Sequence, residues 1–267
     1  MHTVSTFNEM KKKGERIVMV TAYDYPSARF AAAAGVDLIL VGDSLGMVVL
    51  GYDTTLAVTM DDIVHHGAAV RRGAPEAFIV ADMPWMSYHV SEAETRRNAS
   101  RLIVDGGANA VKLEGGSPGR LDAIRAIVDC EIPVVAHLGL TPQSVHRFGG
   151  YKVQGRDDEG FQRILQQARQ IEDAGASMVV LEAIPEELGK QITQSLRIPT
   201  IGIGAGRHTD GQVLVYHDLL GLSGMDPKFL KRYATLDETI ITHLKQYAND
   251  VRTGEFPQRR HVYVPTD

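Results

Sequence analysis

The chain has 267 residues, of which 44% are hydrophobic and 23% charged, a length and balance that suit one α/β barrel domain. Its formal net charge of -5 counts against a nucleic-acid partner, and its single cysteine, Cys130, excludes an internal disulfide and favours a reducing, cytoplasmic setting. The opening MHTVSTFNEMKKKGER has no apolar core of signal-peptide length, and no apolar run reaches the ~18 residues of a membrane span, so neither secretion nor a membrane partner is expected.

In chain order, Thr6 to Lys13 predicts a short helix capped by Thr6 with Glu9, placed to plug the N-terminal mouth of a barrel. From Arg16 onward one theme repeats: an apolar run rich in β-branched residues, a polar or glycine-rich turn, then an amphipathic stretch closed by glycine. That alternation predicts parallel βαβ units. The expected strands are Ile17 to Ala22, Leu38 to Gly42, Phe78 to Ala81, Ala110 to Leu113, Pro133 to His137, Met178 to Leu181, Thr200 to Ile203 and Val213 to Tyr216. Helix starts are marked by Thr59 with Asp62, by Ser91 with Glu94, and by Ser117 before Pro118; Gly35, Gly73, Gly106 and Gly175 are placed as left-handed C-terminal caps. Eight such units also suit a doubly wound sheet. Near-continuous strands at barrel spacing and the lack of a domain break favour closure, so a (β/α)8 TIM barrel over about residues 16–222 is expected within a single domain. A helical tail over about residues 226–267 follows; within it Leu236 to Val251 carries an apolar stripe of Ile240, Ile241, Leu244, Tyr247 and Val251 that suits packing on the barrel or on another subunit.

Barrel enzymes build their sites at the C-terminal strand ends, so the residues closing each apolar run carry the chemistry. Those residues are Asp43 and Ser44 after the second strand, Asp82 after the third, Lys112 and Glu114 on the fourth, His137 on the fifth and Glu182 on the sixth. Three carboxylates at one barrel mouth repel unless a cation joins them, and an all-oxygen set favours Mg2+ or a similar hard ion. Either aspartate alone reads equally well as the N-cap of the next helix; the pair beside Lys112 and Glu114 tips the reading to metal. Lys112 and Glu114, two apart on a strand, share the face opposite Val111 and Leu113. They read as a ligand for a substrate carboxylate and a metal ligand, or as a structural ion pair. Glu182, set apart from the metal side, reads as a general base or as a cap before Pro185. His137 fits a core histidine and a substrate contact equally.

Three features are weaker. Gly202-Ile-Gly204-Ala-Gly206 lacks dinucleotide spacing and a first-strand setting, and reads as close backbone approach. His65 and His66 are adjacent in a predicted helix, where they face different ways. Cys130 sits on the N-terminal side of a strand, away from the expected chemistry.

TAYDYPSARF, LVGDSLGMVVLGYDTTL, VKLEGG, HLGLTPQSVHRFGGYKVQGR, VLEAIP, IPTIGIGAG and DGQVLVYHDLLGL together resemble the ketopantoate hydroxymethyltransferase family of pantothenate biosynthesis, from about Thr21 to Leu222. The resemblance implies transfer of a hydroxymethyl unit from 5,10-methylenetetrahydrofolate to 3-methyl-2-oxobutanoate through a Mg2+-stabilised enolate. It also implies Asp43 and Asp82 on the metal with Glu114 as a further partner, Ser44 and Lys112 on the oxo acid, Glu182 as base, and a homo-oligomer, commonly a decamer. The segment Arg147 to Arg156 is placed to close over the site. Two other readings remain: an enolising barrel of the phosphoenolpyruvate mutase and isocitrate lyase type, whose active-site loop cysteine has no counterpart here, and a non-catalytic barrel that binds a metal or carboxylate.

Overall fold

The computed structural model describes residues 2–264. Eight parallel strands close a barrel in sequence order: β1 (Ile17–Thr21), β2 (Leu38–Val41), β3 (Phe78–Asp82), β4 (Ala110–Glu114), β5 (Val134–Gly139), β6 (Met178–Glu182), β7 (Thr200–Ile203) and β8 (Gly211–Leu214), which pairs back onto β1. The helices are α1 (Val4–Lys13), α2 (Tyr25–Ala33), α3 (Leu45–Val48), α4 (Met60–Gly73), α5 (Glu92–Val104), α6 (Pro118–Val128), α7 (Val145–Phe148), α8 (Asp158–Asp173), α9 (Glu186–Ser195), α10 (Tyr216–Leu219) and α11 (Leu236–Thr253). The chain forms two compact units, one ending at Tyr216 and the other beginning at His217. Among the described residues no helix is long and apolar enough to cross a membrane.

Every expected strand is present, and the last is displaced. It starts at Gly211, whose lack of a side chain lets the β1 backbone at Ile17 pass close by, and it ends before Tyr216, whose N–H is taken by the Thr21 hydroxyl as a helical turn begins. The Thr59–Asp62 capping box forms. Ser91 caps the N–H of Glu94 without the reciprocal bond, and Ser117 precedes Pro118 as N-cap without a side-chain bond. Gly35 and Gly175 take left-handed backbone, with φ of +75° and +99°. Gly73 and Gly106 do not. Gly73 stays helical because α2 crosses there, with Tyr25 carbonyl and Ala28 in the space a side chain would need; the left-handed turn after α5 is made by Gly107, with φ of +72°.

The barrel interior is filled by alternate strand residues, Ile17 and Met19, Leu38 and Leu40, Phe78 and Val80, Ala110, Val135, Met178 and Val180, Ile201 and Val213. This is the period-two face of each strand. Helix α1 closes the bottom. Its N-cap is Thr3, not Thr6: Thr3 accepts from the N–H of Thr6, and the Thr6 hydroxyl returns a bond to the Thr3 backbone, so the helix begins two residues earlier than its pattern suggested. Phe7 enters the interior cluster at 1% exposure, edge-on to Phe78 with centroids 5.2 Å apart, and Lys11 anchors the helix to Asp210 at 2.7 Å. In the second unit Ile240, Ile241, Leu244, Tyr247 and Val251 of α11 are all exposed.

The plug is a testable element. Phe7→Ala removes the largest side chain α1 sends into the barrel, and a cost of about 3–5 kcal/mol in urea unfolding is expected; a loss below about 1 kcal/mol would show that α1 does not seal the core.

Candidate active site

The faces that fill the barrel with apolar residues also deliver the polar ones. Phe78 and Val80 continue to Asp82, Ala110 to Lys112 and Glu114, Val135 to His137, and Met178 and Val180 to Glu182, each two residues further along the inward face. Sheet register sets these groups side by side, pairing Asp82 with Lys112 and Glu114 with His137. Asp43 joins from the turn after β2. Asp43, Asp82, Lys112, Glu114 and His137 are all 5% exposed or less.

Neither aspartate caps a helix. The Asp82 Oδ2 accepts the backbone N–H of Asp43 at 3.0 Å and its Oδ1 accepts from Lys112 Nζ at 2.8 Å, while the Asp43 Oδ2 accepts from the side-chain amide of Gln143 at 2.9 Å. A side chain at Gly42 would press on the Ser44 hydroxyl in its present position. Ser44 Oγ lies 2.8 Å from the Tyr23 hydroxyl. Glu182 is not a cap either, because the N-cap of α9 is Pro185, with no side-chain bond.

Glu182 is less isolated than its place on β6 suggested. His137 stands between it and Glu114, with Nδ1 3.3 Å from Glu114 Oε1 and Nε2 3.2 Å from Glu182 Oε2. Both contacts are longer than an ideal charge-assisted hydrogen bond, and both carboxylates favour the charged imidazole. Glu182, on β6, stands apart from Asp43 and Asp82, and inward-facing positions on three adjacent strands place one imidazole between it and Glu114.

The electrostatics follow from burial and an excess of negative charge. Asp43 is pushed well above the usual carboxylate range by burial and then by the charges of Asp82 and Glu114. Burial opposes the charge on Lys112, but Asp82, Glu114 and Asp43 outweigh it and hold the ammonium above its ordinary value. Burial also raises Glu114, and His137 and Lys112 reverse that and lower it. For His137, burial and Lys112 act downward, yet Glu114 and Glu182 raise it to about 9.

Three neighbours escaped the sequence reading. Gln143, on the turn Pro142–Ser144 after β5, bonds Asp43, Glu114 and Met83. Tyr88, in the loop after β3, donates to Gln143 at 2.6 Å and accepts the N–H of Glu114 at 3.2 Å. Tyr151 lies in the glycine-rich segment after β5. Its hydroxyl is 3.6 Å from Met47 Sδ on α3, and its pKa is raised by burial and by Asp43, Glu182 and Glu114. The same segment bonds the Ala183 carbonyl through the N–H of Gln154 at 3.0 Å. No periodicity or motif flags these residues; Gln143 and Tyr151 fall within the HLGLTPQSVHRFGGYKVQGR stretch of the family likeness, which assigned neither a role.

The weaker features resolve structurally. A side chain at Gly202 would meet Thr209, and one at Gly206 would meet Glu186, so this segment does serve close approach. His66 bonds the Tyr23 carbonyl, and His65 stacks edge-on to it. Cys130 lies beyond α6, before β5, 3.3 Å from Arg96 Nη1. Among the described residues no three His, Cys, Asp or Glu side chains are gathered closely enough to cage a metal by themselves.

Residues 1–259 match the family model described as ketopantoate hydroxymethyltransferase. The chain belongs to that family. It is an enzyme of the hydroxymethyltransferase kind. A relative from Geobacillus sp. (strain WCH70), named 3-methyl-2-oxobutanoate hydroxymethyltransferase, is 56% identical over 266 residues, covering 99% of this chain and 95% of its own. One of the same name from Syntrophomonas wolfei is 52% identical over 263 residues, covering 98% and 95%. Solved structures share the barrel at low identity: a phosphonopyruvate hydrolase complex with oxalate and Mg2+ (11% identical, TM-score 0.63, 98% and 93% covered) and 2,3-dimethylmalate lyase of the PEP mutase/isocitrate lyase superfamily (17%, TM-score 0.62, 97% and 92%).

His137 supplies a pH test. Its folded pKa of about 9 lies above the ordinary 6.5, so its contribution to stability is complete below about 6.5 and is lost as pH rises through about 9. In chelator-treated protein, the His137 imidazole signal should titrate near 9 by NMR; a midpoint at or below 6.5 would mean that the two carboxylates do not hold it.

Proposed function

We propose that this enzyme forms ketopantoate by moving a one-carbon unit from 5,10-methylenetetrahydrofolate to 3-methyl-2-oxobutanoate, with Mg2+ as its metal. The observation that carries the reading is the buried excess of carboxylate at the C-terminal mouth, where Asp43, Asp82 and Glu114 share Lys112 and His137 as cations and Asp43 is pushed toward protonation. A divalent cation relieves that imbalance, and an all-oxygen set suits a hard ion. Among the described residues no three such side chains form a cage by themselves, which suits an ion that ordinarily keeps water or substrate oxygens among its ligands. Asp43 and Asp82 would hold the ion, with Glu114 as a further acidic partner. When bound, the ion places positive charge where the substrate's keto oxygen becomes negative.

The remaining work belongs to the chain. Lys112 gives one of its three donors to Asp82 and keeps the others for the substrate carboxylate, with the Ser44 hydroxyl as second contact. Glu182 takes the C3 proton. His137 holds the Glu182 carboxyl in place from the other side and lines the same pocket against the substrate. The segment from Arg147 to Arg156, fastened at Ala183 and reaching α3 through Tyr151, excludes water above the site. The exposed stripe on α11 belongs to a homo-oligomer of decamer size working in the cytoplasm.

Three outcomes test this. Asp43→Ala and Asp82→Ala each abolish ketopantoate formation and weaken Mg2+ binding with the barrel intact; Mg2+-dependent turnover in both would sink the metal assignment. Glu182→Gln keeps the shape and removes the proton acceptor. Loss of about 10²- to 10⁴-fold is expected both in turnover and in folate-independent exchange of the C3 proton, with Mg2+ binding retained; fast exchange in that variant would assign the base elsewhere. Light scattering should give a mass several times 29.2 kDa, and a value near 29.2 kDa would rule out assembly.

A further inference from the structure

Gln143 is 8% exposed, and its side-chain amide and backbone N–H all have partners. Its Nε2 donates to Asp43 Oδ2 at 2.9 Å and to the Met83 carbonyl at 3.0 Å, its Oε1 accepts from the Tyr88 hydroxyl at 2.6 Å, and its backbone N–H donates to Glu114 Oε2 at 3.0 Å. A side-chain amide can be turned end for end without changing its outline, so its partners decide which end is nitrogen. Here they agree. The Met83 carbonyl can only accept, and the Tyr88 oxygen already accepts the Glu114 N–H, which leaves its one proton for Oε1.

We propose that Gln143, locked by Tyr88, is a positioning residue for the metal-binding carboxylates: one residue grips Asp43 beyond β2 and Glu114 on β4, and so fixes the rotation of both before an ion arrives. The inference rests on the reading of Asp43 and Glu114 as ligands of a divalent ion. Two observations separate it from ordinary filling of buried hydrogen bonds. Gln143 donates a side-chain hydrogen bond to Asp43, a buried carboxyl crowded by the charges of Asp82 and Glu114. The same residue also reaches Glu114 through its backbone, so a shift of the turn moves both ligands together. Groups that orient metal ligands typically change metal affinity or activity by 10- to 100-fold when removed.

The test is Mn2+ affinity, read from the electron paramagnetic resonance of the free ion, together with Tm, on full-length protein. Gln143→Met keeps the length and removes the amide. Tyr88→Phe keeps the ring beneath Arg120, 5.0 Å from its centroid, and removes only the hydroxyl that locks the amide. Asp43→Ala serves as the reference for a lost ligand. The expected result is a 10- to 100-fold rise in Mn2+ Kd for Gln143→Met and a smaller rise in the same direction for Tyr88→Phe. A lower Tm with Mn2+ Kd within twofold of the parent in both variants overturns the proposal and leaves the metal reading standing. A parent that binds no Mn2+, or an Asp43→Ala variant that binds it as the parent does, overturns the metal reading and this inference with it. Should Gln143→Met fail to fold, Tyr88→Phe alone decides.

Discussion

The ion pair between Lys112 and Asp82, buried at the top of the barrel, is the contact on which the rest of the site depends. Two charges removed from water cost several kcal/mol each, and their attraction recovers that only when further hydrogen bonds satisfy the remaining lone pairs. The second oxygen of Asp82 finds one such bond in the Asp43 N–H, which turns the chain after β2 and brings the Asp43 carboxyl over the cluster. Two cations, Lys112 and His137, for the three close carboxylates Asp43, Asp82 and Glu114 leave the mouth short of positive charge. The shortage shows at Asp43, which burial and the charges of Asp82 and Glu114 push well above the usual carboxylate range. A fold that aimed only at stability would fill these positions with apolar residues, as it does one layer below, so the polar layer is best understood as the cost of function.

The barrel was legible because its physics is periodic. Strands buried on both faces read as apolar runs, and helices between them carry caps such as Thr59 with Asp62. What failed to read was aperiodic. At Gly73 a glycine serves helix crossing and not chain reversal, and both uses leave the same letter in the sequence. Thr3 and Thr6 are both capping residues by type, and only the position of Phe7 in the core selects the earlier start. At Gly211 the end of a strand is set by how closely a neighbouring backbone passes, a tertiary fact.

The candidate site divides in the same way. Asp82, Lys112, Glu114, His137 and Glu182 were found as the residues that close the apolar runs, where a barrel places its site, with strand alternation adding the shared face of Lys112 and Glu114. Gln143 and Tyr88 sit on turns, where no period says which side chain points inward, and their significance lies in bonds to residues 26 to 100 positions away. Tyr151 follows two glycines with φ of +63° and +114°, a backbone whose path is set by those glycines more than by any alternation of side chains. The general rule is that strand-borne chemistry can be counted out from sequence, whereas loop-borne chemistry must be seen.

The bridge made by His137 ties three strands into one electrostatic unit. Glu114 on β4 and Glu182 on β6 stand on either side of one imidazole on β5, with Nδ1 3.3 Å from Glu114 Oε1 and Nε2 3.2 Å from Glu182 Oε2. Burial and Lys112 press against a charge on that imidazole, and the two carboxylates raise it to about 9, so it is charged at neutral pH because both neighbouring strands present an acid to it. Removing either carboxylate takes away part of that support. The inward faces of β4, β5 and β6 therefore form one group, and a substitution on one of them is felt by the other two.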